Sequence, residues 1–398
     1  MYKDLKEILP YFNSVGIEIL DTDYESLSID NNQLQKEINI SFPNDDEPAT
    51  VDIDFLYDYY KSLQNGTFIN DYIFQNSKKV CVRAYFDEYK YQYPVEEISR
   101  VINGNNFSIS GETYYISFKS GISEFEFYDA KNSFYDDYNQ IFMDENCFFL
   151  IEGKKAGTLN KDNILEIVEA FIFDVKIKNR LKVKIHPNLF LFINEEDDFI
   201  DESKKNDPIM IGKGLDDVIK IFNSIDDDTS LAIKITSYFQ IIEYISQTII
   251  RKELIMKAKE KLTSSVLNDI DSDFIIELSN ICVENYKKSR KDTKYIKAAI
   301  KECCNLNSLS DLAPDWMIEM KKFKEGKPNE NDCWNEIANY IVNTRNSLAH
   351  AKPNYIPKKP VIGESDFPEF VDFLEVIVID VIKWFGNVEP DDRVVKAI

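Results

Sequence analysis

Residues 231–250 read LAIKITSYFQIIEYISQTII, and this stretch decides the fold of the C-terminal half. Its apolar residues recur at spacings of three and four, which is typical of one buried face on a long α-helix. The acidic and hydroxyl residues at 226–230 suit a helix N-terminus, where carboxylates stabilise the positive end of the helix dipole. The stretch therefore predicts a long amphipathic helix that begins near residue 231.

Similar helical patterns follow along the C-terminal half. They predict helices over residues 272–286, 291–304, 332–349 and 370–385. Pro353 and Pro357 enforce a loop after the fourth helix, because proline lacks the backbone N–H that a helix interior needs. We therefore predict a bundle of five or six helices with short connections.

The first half of the chain shows a different pattern. Apolar and polar residues alternate with a period of two around residues 80–86, 114–119 and 181–186, which is typical of half-buried antiparallel strands with a polar outer face. Residues 162–175 show a helical pattern within this half. We predict an α+β or mostly β domain here, and hence the α+β class for the whole chain, with a β-rich domain followed by an all-α bundle.

A polar segment separates the two patterns. Residues 194–208, NEEDDFIDESKKNDP, are highly charged and end in proline, so they predict a domain boundary near residues 200–215. We assign residues 1–205 to a β-rich sensor or regulatory domain, residues 206–215 to a linker and residues 216–398 to the helical bundle.

Composition limits the function. The 398 residues carry a net charge of −23, which opposes nonspecific binding to nucleic acid or anionic membranes. The six cysteines show no CxxC spacing and predict reduced thiols in a cytoplasmic protein. The most apolar helix, 370–385, is too short and too charged to span a bilayer. Because there is no cluster of metal ligands and no glycine-rich phosphate loop, we predict neither a metal nor a cofactor.

The hexapeptide RNSLAH at residues 345–350 holds the residues with the clearest chemistry. If the fourth helix continues through it, Asn346 and His350 lie four residues apart on one face, and the long side chain of Arg345 reaches the same phosphate. Three further residues follow in the next loop and are candidates for an RNA-binding rim: Lys352, Tyr355 and Lys358.

These residue types suit RNA cleavage without a metal. The 2′-hydroxyl of RNA is the nucleophile, a histidine transfers protons, and a guanidinium stabilises the charge that develops on the phosphate. Asparagine holds the imidazole or the phosphate in place. One RNSLAH segment supplies a single histidine. Two segments, one from each subunit across a two-fold axis, supply both an acid and a base. The chemistry therefore predicts a homodimer.

The pattern Arg345-Asn346-x-x-x-His350 resembles the RxxxxH motif of HEPN ribonucleases, and the resemblance covers residues 215–390. The segment 238–243 is similar to the first helix of HEPN domains in the ApeA-like group of bacterial abortive-infection proteins. The resemblance implies a composite active site at a dimer interface, built from Arg345, Asn346 and His350. It also places Glu243 at the position of a supporting acidic residue that some members have.

Several alternatives remain open from the sequence. His350 would also suit a simple helix C-terminal cap, and Glu243 would also suit a lysine partner or a solvent-facing position. The chain as a whole would alternatively serve as a non-catalytic HEPN scaffold, or as a nucleotide- or protein-binding module. If it is an anti-phage ribonuclease, its partners are RNA, a second copy, and either a phage-derived trigger or a separate antitoxin.

Overall fold

The computed structural model of the chain describes residues 5–20, 37–43, 48–86, 93–132, 141, 146–185, 209–226, 229–263, 272–289, 292–327, 329–349 and 362–395. The chain divides into two compact units, Met1–Ile209 and Met210–Ile398. The described residues of the first unit contain all the strands, and those of the second contain helices. The predicted α+β class, with a sheet-rich first part and a helical second part, is therefore confirmed.

The first unit alternates short helices with strands. Its elements in chain order are α1 (Leu5–Ser14), β1 (Glu18–Ile19), β2 (Glu37–Ser41), β3 (Ala49–Asp52), α2 (Ile53–Asn65), β4 (Thr67–Asn70), β5 (Ile73–Gln75), β6 (Lys79–Phe86), α3 (Val95–Val101), β7 (Asn105–Ile109), β8 (Glu112–Ser120), α4 (Glu124–Asn132), β9 (Cys147–Glu152), α5 (Lys161–Asn179) and β10 (Val183–Ile185).

The strands form two antiparallel sheets. The smaller sheet has the order β1-β2-β3, and the larger has the order β4-β5-β6-β9-β8-β7 with β10 paired to β6.

The helix predicted over 162–175 is confirmed as α5. The predicted alternation in β6 is confirmed at Arg83 and Tyr85, which are half-buried, but it is wrong at Cys81, which is fully buried. Helices cover the larger sheet on both faces: Cys81 packs near Phe125 of α4, and Phe149 of β9 contacts Phe171 of α5.

Three buried carboxylates of α4 lie over this sheet. Glu124 pairs with Lys79 at 2.5 Å, and Asp129 accepts two hydrogen bonds from Arg83 at 2.9 Å. Glu126 accepts hydrogen bonds from the backbone N–H and hydroxyl of Ser123 and from the Asn146 amide. Burial nevertheless raises the pKa of Glu126 to about 7, against the opposing influence of Arg83 and Ser123. The N-terminal core therefore contains a carboxyl group that titrates near neutral pH.

The second unit is helical throughout its described residues. Its helices in chain order are α6 (Leu215–Asn223), α7 (Leu231–Thr263), α8 (Ser272–Ser289), α9 (Asp292–Cys303), α10 (Leu306–Leu312), α11 (Ile318–Lys324), α12 (Glu330–Ala349) and α13 (Phe367–Gly386).

The helix α7 is central to the second unit, since α6, α8, α9, α12 and α13 all contact it. The five long helices predicted from periodicity are confirmed as α7, α8, α9, α12 and α13. The predicted total of five or six is too low, because α6, α10 and α11 also form. These three helices span only seven to nine residues, which is too short for an apolar period to be recognised.

None of the helices in the described ranges has a segment long and apolar enough to cross a membrane.

Candidate active site

The helix α12 carries the first residues of the RNSLAH segment. It begins with Glu330 and Asp332 in its first turn, where carboxylates favour the helix dipole. Its apolar residues, spaced three and four apart, are buried against the bundle. The Glu336 carboxylate accepts three hydrogen bonds, at 2.8–3.1 Å, from the first free backbone N–H groups of α11. Apolar packing against the bundle and the hydrogen bonds from α11 to Glu336 together fix the position of α12.

Arg345 is held near the end of α12 by two contacts. Its guanidinium lies 4.5 Å from the ring centroid of Phe239 on α7, a cation–π arrangement. Its Nη1 atom donates a hydrogen bond of 2.9 Å to Oδ1 of Asn346. The described part of the chain places no carboxylate within ion-pairing distance of Arg345. Within the described residues, the guanidinium is therefore oriented by a ring and an amide and not by a carboxylate.

An acidic residue lies near this arginine. Glu243 follows Phe239 by one helical turn on α7, and its Oε1 atom accepts a hydrogen bond of 3.1 Å from the Tyr295 hydroxyl of α9. Tyr295 is buried, and burial is the main cause of the strong rise in its pKa, followed by the negative charge of Glu243. Arg345 acts in the opposite direction on the same pKa, so its charge is close enough to influence the phenol. Residues from α7, α9 and α12 thus meet in one cluster.

The structure brings together three of the predicted site residues, namely Arg345, Asn346 and, through Tyr295, Glu243. The hydrogen bond with Tyr295 means that Glu243 does not simply face solvent. The other four predicted residues lie outside the described part of the chain: His350, Lys352, Tyr355 and Lys358. The described helix ends at Ala349, immediately before His350.

Sequence reasoning missed the roles of two aromatic residues, Phe239 and Tyr295. Phe239 lies within the segment that carries the family resemblance, four residues before Glu243, so its spacing was a usable signal. Tyr295 lies within the lysine-rich segment 287–301, where a single tyrosine has no pattern that distinguishes a site residue from a core residue. One of those lysines, Lys297, donates hydrogen bonds to the Asn331 and Asn335 side chains of α12. That lysine therefore helps to hold α9 against α12.

Among the described residues, no group of three or more histidine, cysteine, aspartate or glutamate side chains is placed to hold a metal ion. The cluster instead offers a fixed cation, an amide and a carboxylate. These groups can bind and orient a phosphodiester, whereas proton transfer needs an additional acid–base group.

The fold and the site define an α+β protein whose helical C-terminal unit carries an Arg-x4-His pattern at the end of a bundle helix. The family model for Apea-like HEPN domains matches residues 236–382. The C-terminal half therefore contains an Apea-like HEPN domain, and the resemblance predicted from the RNSLAH segment is confirmed. Comparisons with curated proteins and with solved structures gave no match.

Proposed function

We propose that the C-terminal unit is a metal-independent endoribonuclease with a composite active site in a homodimer. The observation that carries the proposal is the oriented guanidinium of Arg345, bound to Asn346 and stacked on Phe239 in an Apea-like HEPN domain. HEPN domains are associated with RNA-directed functions, and the arrangement of these side chains suits a phosphate ligand. RNA is thus the proposed substrate.

In the proposed reaction the 2′-oxygen of a ribose attacks the adjacent phosphorus and forms a new O–P bond. The bond from phosphorus to the 5′-oxygen breaks, leaving a 2′,3′-cyclic phosphate and a 5′-hydroxyl. His350 of one subunit takes the 2′-proton, and His350 of the second subunit donates a proton to the leaving oxygen. Arg345 stabilises the negative charge that builds up on the phosphate, and Asn346 keeps the guanidinium in position.

Glu243 has a supporting role in this proposal. Its carboxylate, bonded to Tyr295, balances the positive charge of the guanidinium and the imidazole without forming an ion pair that would block Arg345. Lys352, Tyr355 and Lys358 would bind the RNA strand beside the scissile phosphate, the lysines by charge and the tyrosine by base stacking.

The decisive experiment compares purified full-length protein with His350→Ala and Arg345→Ala on total RNA, in the presence and absence of EDTA. We expect cleavage that survives EDTA, with losses of roughly a hundred-fold or more in each variant, because each removes transition-state stabilisation or proton transfer. Products should carry 2′,3′-cyclic phosphate ends.

Matched controls are available within the chain. His186→Ala removes the only other histidine, and Arg100→Ala removes an exposed arginine of the first unit that pairs with Glu96. Both controls should cleave like the wild type. Equal activity in all five proteins, or no cleavage by any, would instead support a non-catalytic scaffold.

A role in anti-phage defence would suit such an enzyme, acting in the cytoplasm. In this proposal the acidic N-terminal unit senses a phage-derived trigger or holds the nuclease inactive, and a separate antitoxin is the alternative regulator. Co-expression with candidate phage proteins, followed by RNA analysis and copurification, would distinguish the two. A trigger raises cleavage, whereas an antitoxin copurifies and suppresses it.

A further inference from the structure

The strand β7 forms one edge of the larger sheet, because among the described strands it pairs with β8 alone. Its five residues pair with β8 in a continuous antiparallel register. The opposite edge, β4, is interrupted by a register shift between Phe68 and Asn70. Edge strands are usually protected by such irregularities, by proline or by charged side chains. The sequence of β7, NNFSI, has none of these features.

The turn after β7 determines which backbone groups point away from the sheet. Ser110 and Gly111, with φ angles of 51° and 80°, form the two-residue turn that joins β7 to β8. In such a hairpin the pair that closes the turn, which begins at Ile109, is hydrogen-bonded, and bonded and non-bonded pairs alternate from there. Asn106 and Ser108 therefore belong to non-bonded pairs, so their backbone N–H and C=O groups point outwards. No other described residue bonds to these groups.

The inner face of β7 is fixed to the rest of its unit. Asn105 is buried and donates a hydrogen bond of 2.7 Å to the buried Asp174 carboxylate of α5. The Phe107 ring stacks on the Tyr114 ring of β8, with the centroids 5.4 Å apart and the planes at 16°. The edge is therefore formed before a partner arrives, which lowers the entropy cost of adding a strand.

A cleft of about 590 Å³ lies beside the start of β7. Its lining comes from α3 and from the residues on either side of that helix: Pro94, Glu96, Glu97, Arg100, Val101 and Asn103. Asn103 is only two residues before β7, and a strand advances about 3.3 Å per residue. A strand added along β7 would therefore end next to the cleft.

The charge of this cleft is negative. The Glu96 carboxylate pairs with Arg100 at 2.5 Å, so these two charges balance. Glu97 is exposed and makes no hydrogen bond or ion pair with the described residues. The whole first unit is acidic, since its 39 acidic and 21 basic residues give it −18 of the net charge of −23. A second copy of this unit would be repelled, whereas a lysine or arginine side chain is attracted.

We propose that β7 accepts an extended, basic segment of a partner protein as an additional strand. The backbone of that segment bonds to the backbone groups of Asn106 and Ser108, which is the way that peptides extend an open sheet edge. A lysine or arginine near one end of the segment occupies the cleft beside Glu97, and this contact selects basic segments. Binding requires neither Arg345 nor His350, so the proposal goes beyond the proposed ribonuclease and does not depend on it.

Hydrogen–deuterium exchange of the free full-length protein, resolved at single residues, tests the edge without any ligand. We expect the Asn106 and Ser108 amides to exchange at least about ten-fold faster than the Phe107 amide, which bonds to β8. Equal exchange at the three positions overturns the proposal, since either another part of the chain covers the edge or the strand is not fixed.

A random library of twelve-residue peptides, displayed on yeast and selected on the full-length protein, then supplies the probes. We expect the enriched peptides to be rich in lysine or arginine and to slow amide exchange at Asn106 and Ser108 when bound. Ser108→Pro should weaken their binding at least about ten-fold, because proline removes an outward N–H that β8 does not use. Glu97→Lys should also weaken binding, because it reverses the charge of the cleft.

Matched variants make the result specific. Ser108→Ala keeps the backbone N–H, and Glu260→Lys makes the same charge change at an exposed residue of the second unit, so both should bind the peptides as the wild type does. Arg345→Ala should also bind normally, which separates this proposal from the proposed ribonuclease. If Ser108→Pro does not fold, as judged by circular dichroism, Glu97→Lys and the exchange measurements decide.

Four results would overturn the proposal. They are the enrichment of no peptide, equal binding by folded Ser108→Pro, equal binding by Glu97→Lys, and the conversion of a dimer into a monomer by Ser108→Pro. The last result would show that a second copy of the chain occupies the edge.

Discussion

At the scale of single residues, the Tyr295 hydroxyl is the group that connects α9 to the candidate active site. It is buried and donates a hydrogen bond to Glu243, and Arg345 is close enough to affect its pKa. Since a hydrogen bond to a charged acceptor is stronger than one between neutral groups, this contact restrains Glu243 to one orientation. Tyr295 is therefore a positioning residue in the proposed mechanism.

Replacing Tyr295 by phenylalanine tests this role. We expect a fall in kcat of about ten-fold with little change in KM, because the loss of one charged hydrogen bond amounts to about 1.5 kcal/mol. Tyr340→Phe is a suitable control, since the Tyr340 ring packs against Trp316 and its hydroxyl has no hydrogen bond with the described residues. Equal kcat in Tyr295→Phe and the wild type would show that Glu243 needs no such restraint.

The short motif identified Arg345 and Asn346, because helical spacing and a local motif depend only on nearby residues, whereas Glu243 was predicted only from the family resemblance. The roles of Phe239 and Tyr295 could not be derived in this way. They depend on how α7 and α9 pack against α12, and a buried aromatic residue has the same sequence pattern whether it supports a site or fills the core.

At the scale of secondary-structure elements, the short helix α11 depends on a side chain from another helix. The Glu336 carboxylate of α12 accepts the backbone N–H groups of Ile318, Glu319 and Met320. A helix of seven residues is marginal by itself, so this cap contributes much of its stability. The sequence predicted the long helices because their apolar periods extend over many turns, but a cap supplied from 16 or more residues away leaves no local pattern.

Glu336→Ala should destabilise the second unit by about 1–2 kcal/mol, which is the usual cost of removing a helix cap. Urea unfolding followed by tryptophan fluorescence measures this effect, since all three tryptophans (Trp316, Trp334 and Trp384) are in the second unit. Glu325→Ala, at the C-terminal end of α11, is the control and should leave stability nearly unchanged. If both variants have the wild-type midpoint, the Glu336 contacts make no net contribution.

At the scale of the whole molecule, we expect the stability of the first unit to depend on pH through one buried carboxyl group. Glu126 is fully within the core of the first unit, and its pKa is raised from 4.5 to about 7. A raised pKa in the folded state stabilises the fold below the unfolded value of 4.5, and this stabilisation is lost as the pH rises through 7. The N-terminal unit should therefore become less stable between pH 5 and pH 8 because of this one group.

Glu126→Gln is the direct test. The variant should remove roughly 2 kcal/mol of the decline in stability between pH 5 and pH 8, because the amide does not ionise. Tyrosine fluorescence of the full-length protein reports mainly on the first unit, which contains 16 of the 22 tyrosines, while tryptophan fluorescence reports on the second. Glu97→Gln replaces an exposed carboxyl and should keep the wild-type pH profile. An unchanged profile in Glu126→Gln would mean that the buried carboxyl is already ionised throughout this range.

The length of α7 has a mechanical consequence. Its 33 residues contain neither glycine nor proline, so the helix has no residue that would act as a hinge. Phe239, which contacts Arg345, and Ile255, 16 residues further along, thus belong to one continuous helix. We therefore expect a shift of this helix at one end to reach the other end, so that the elements packed along its length respond together.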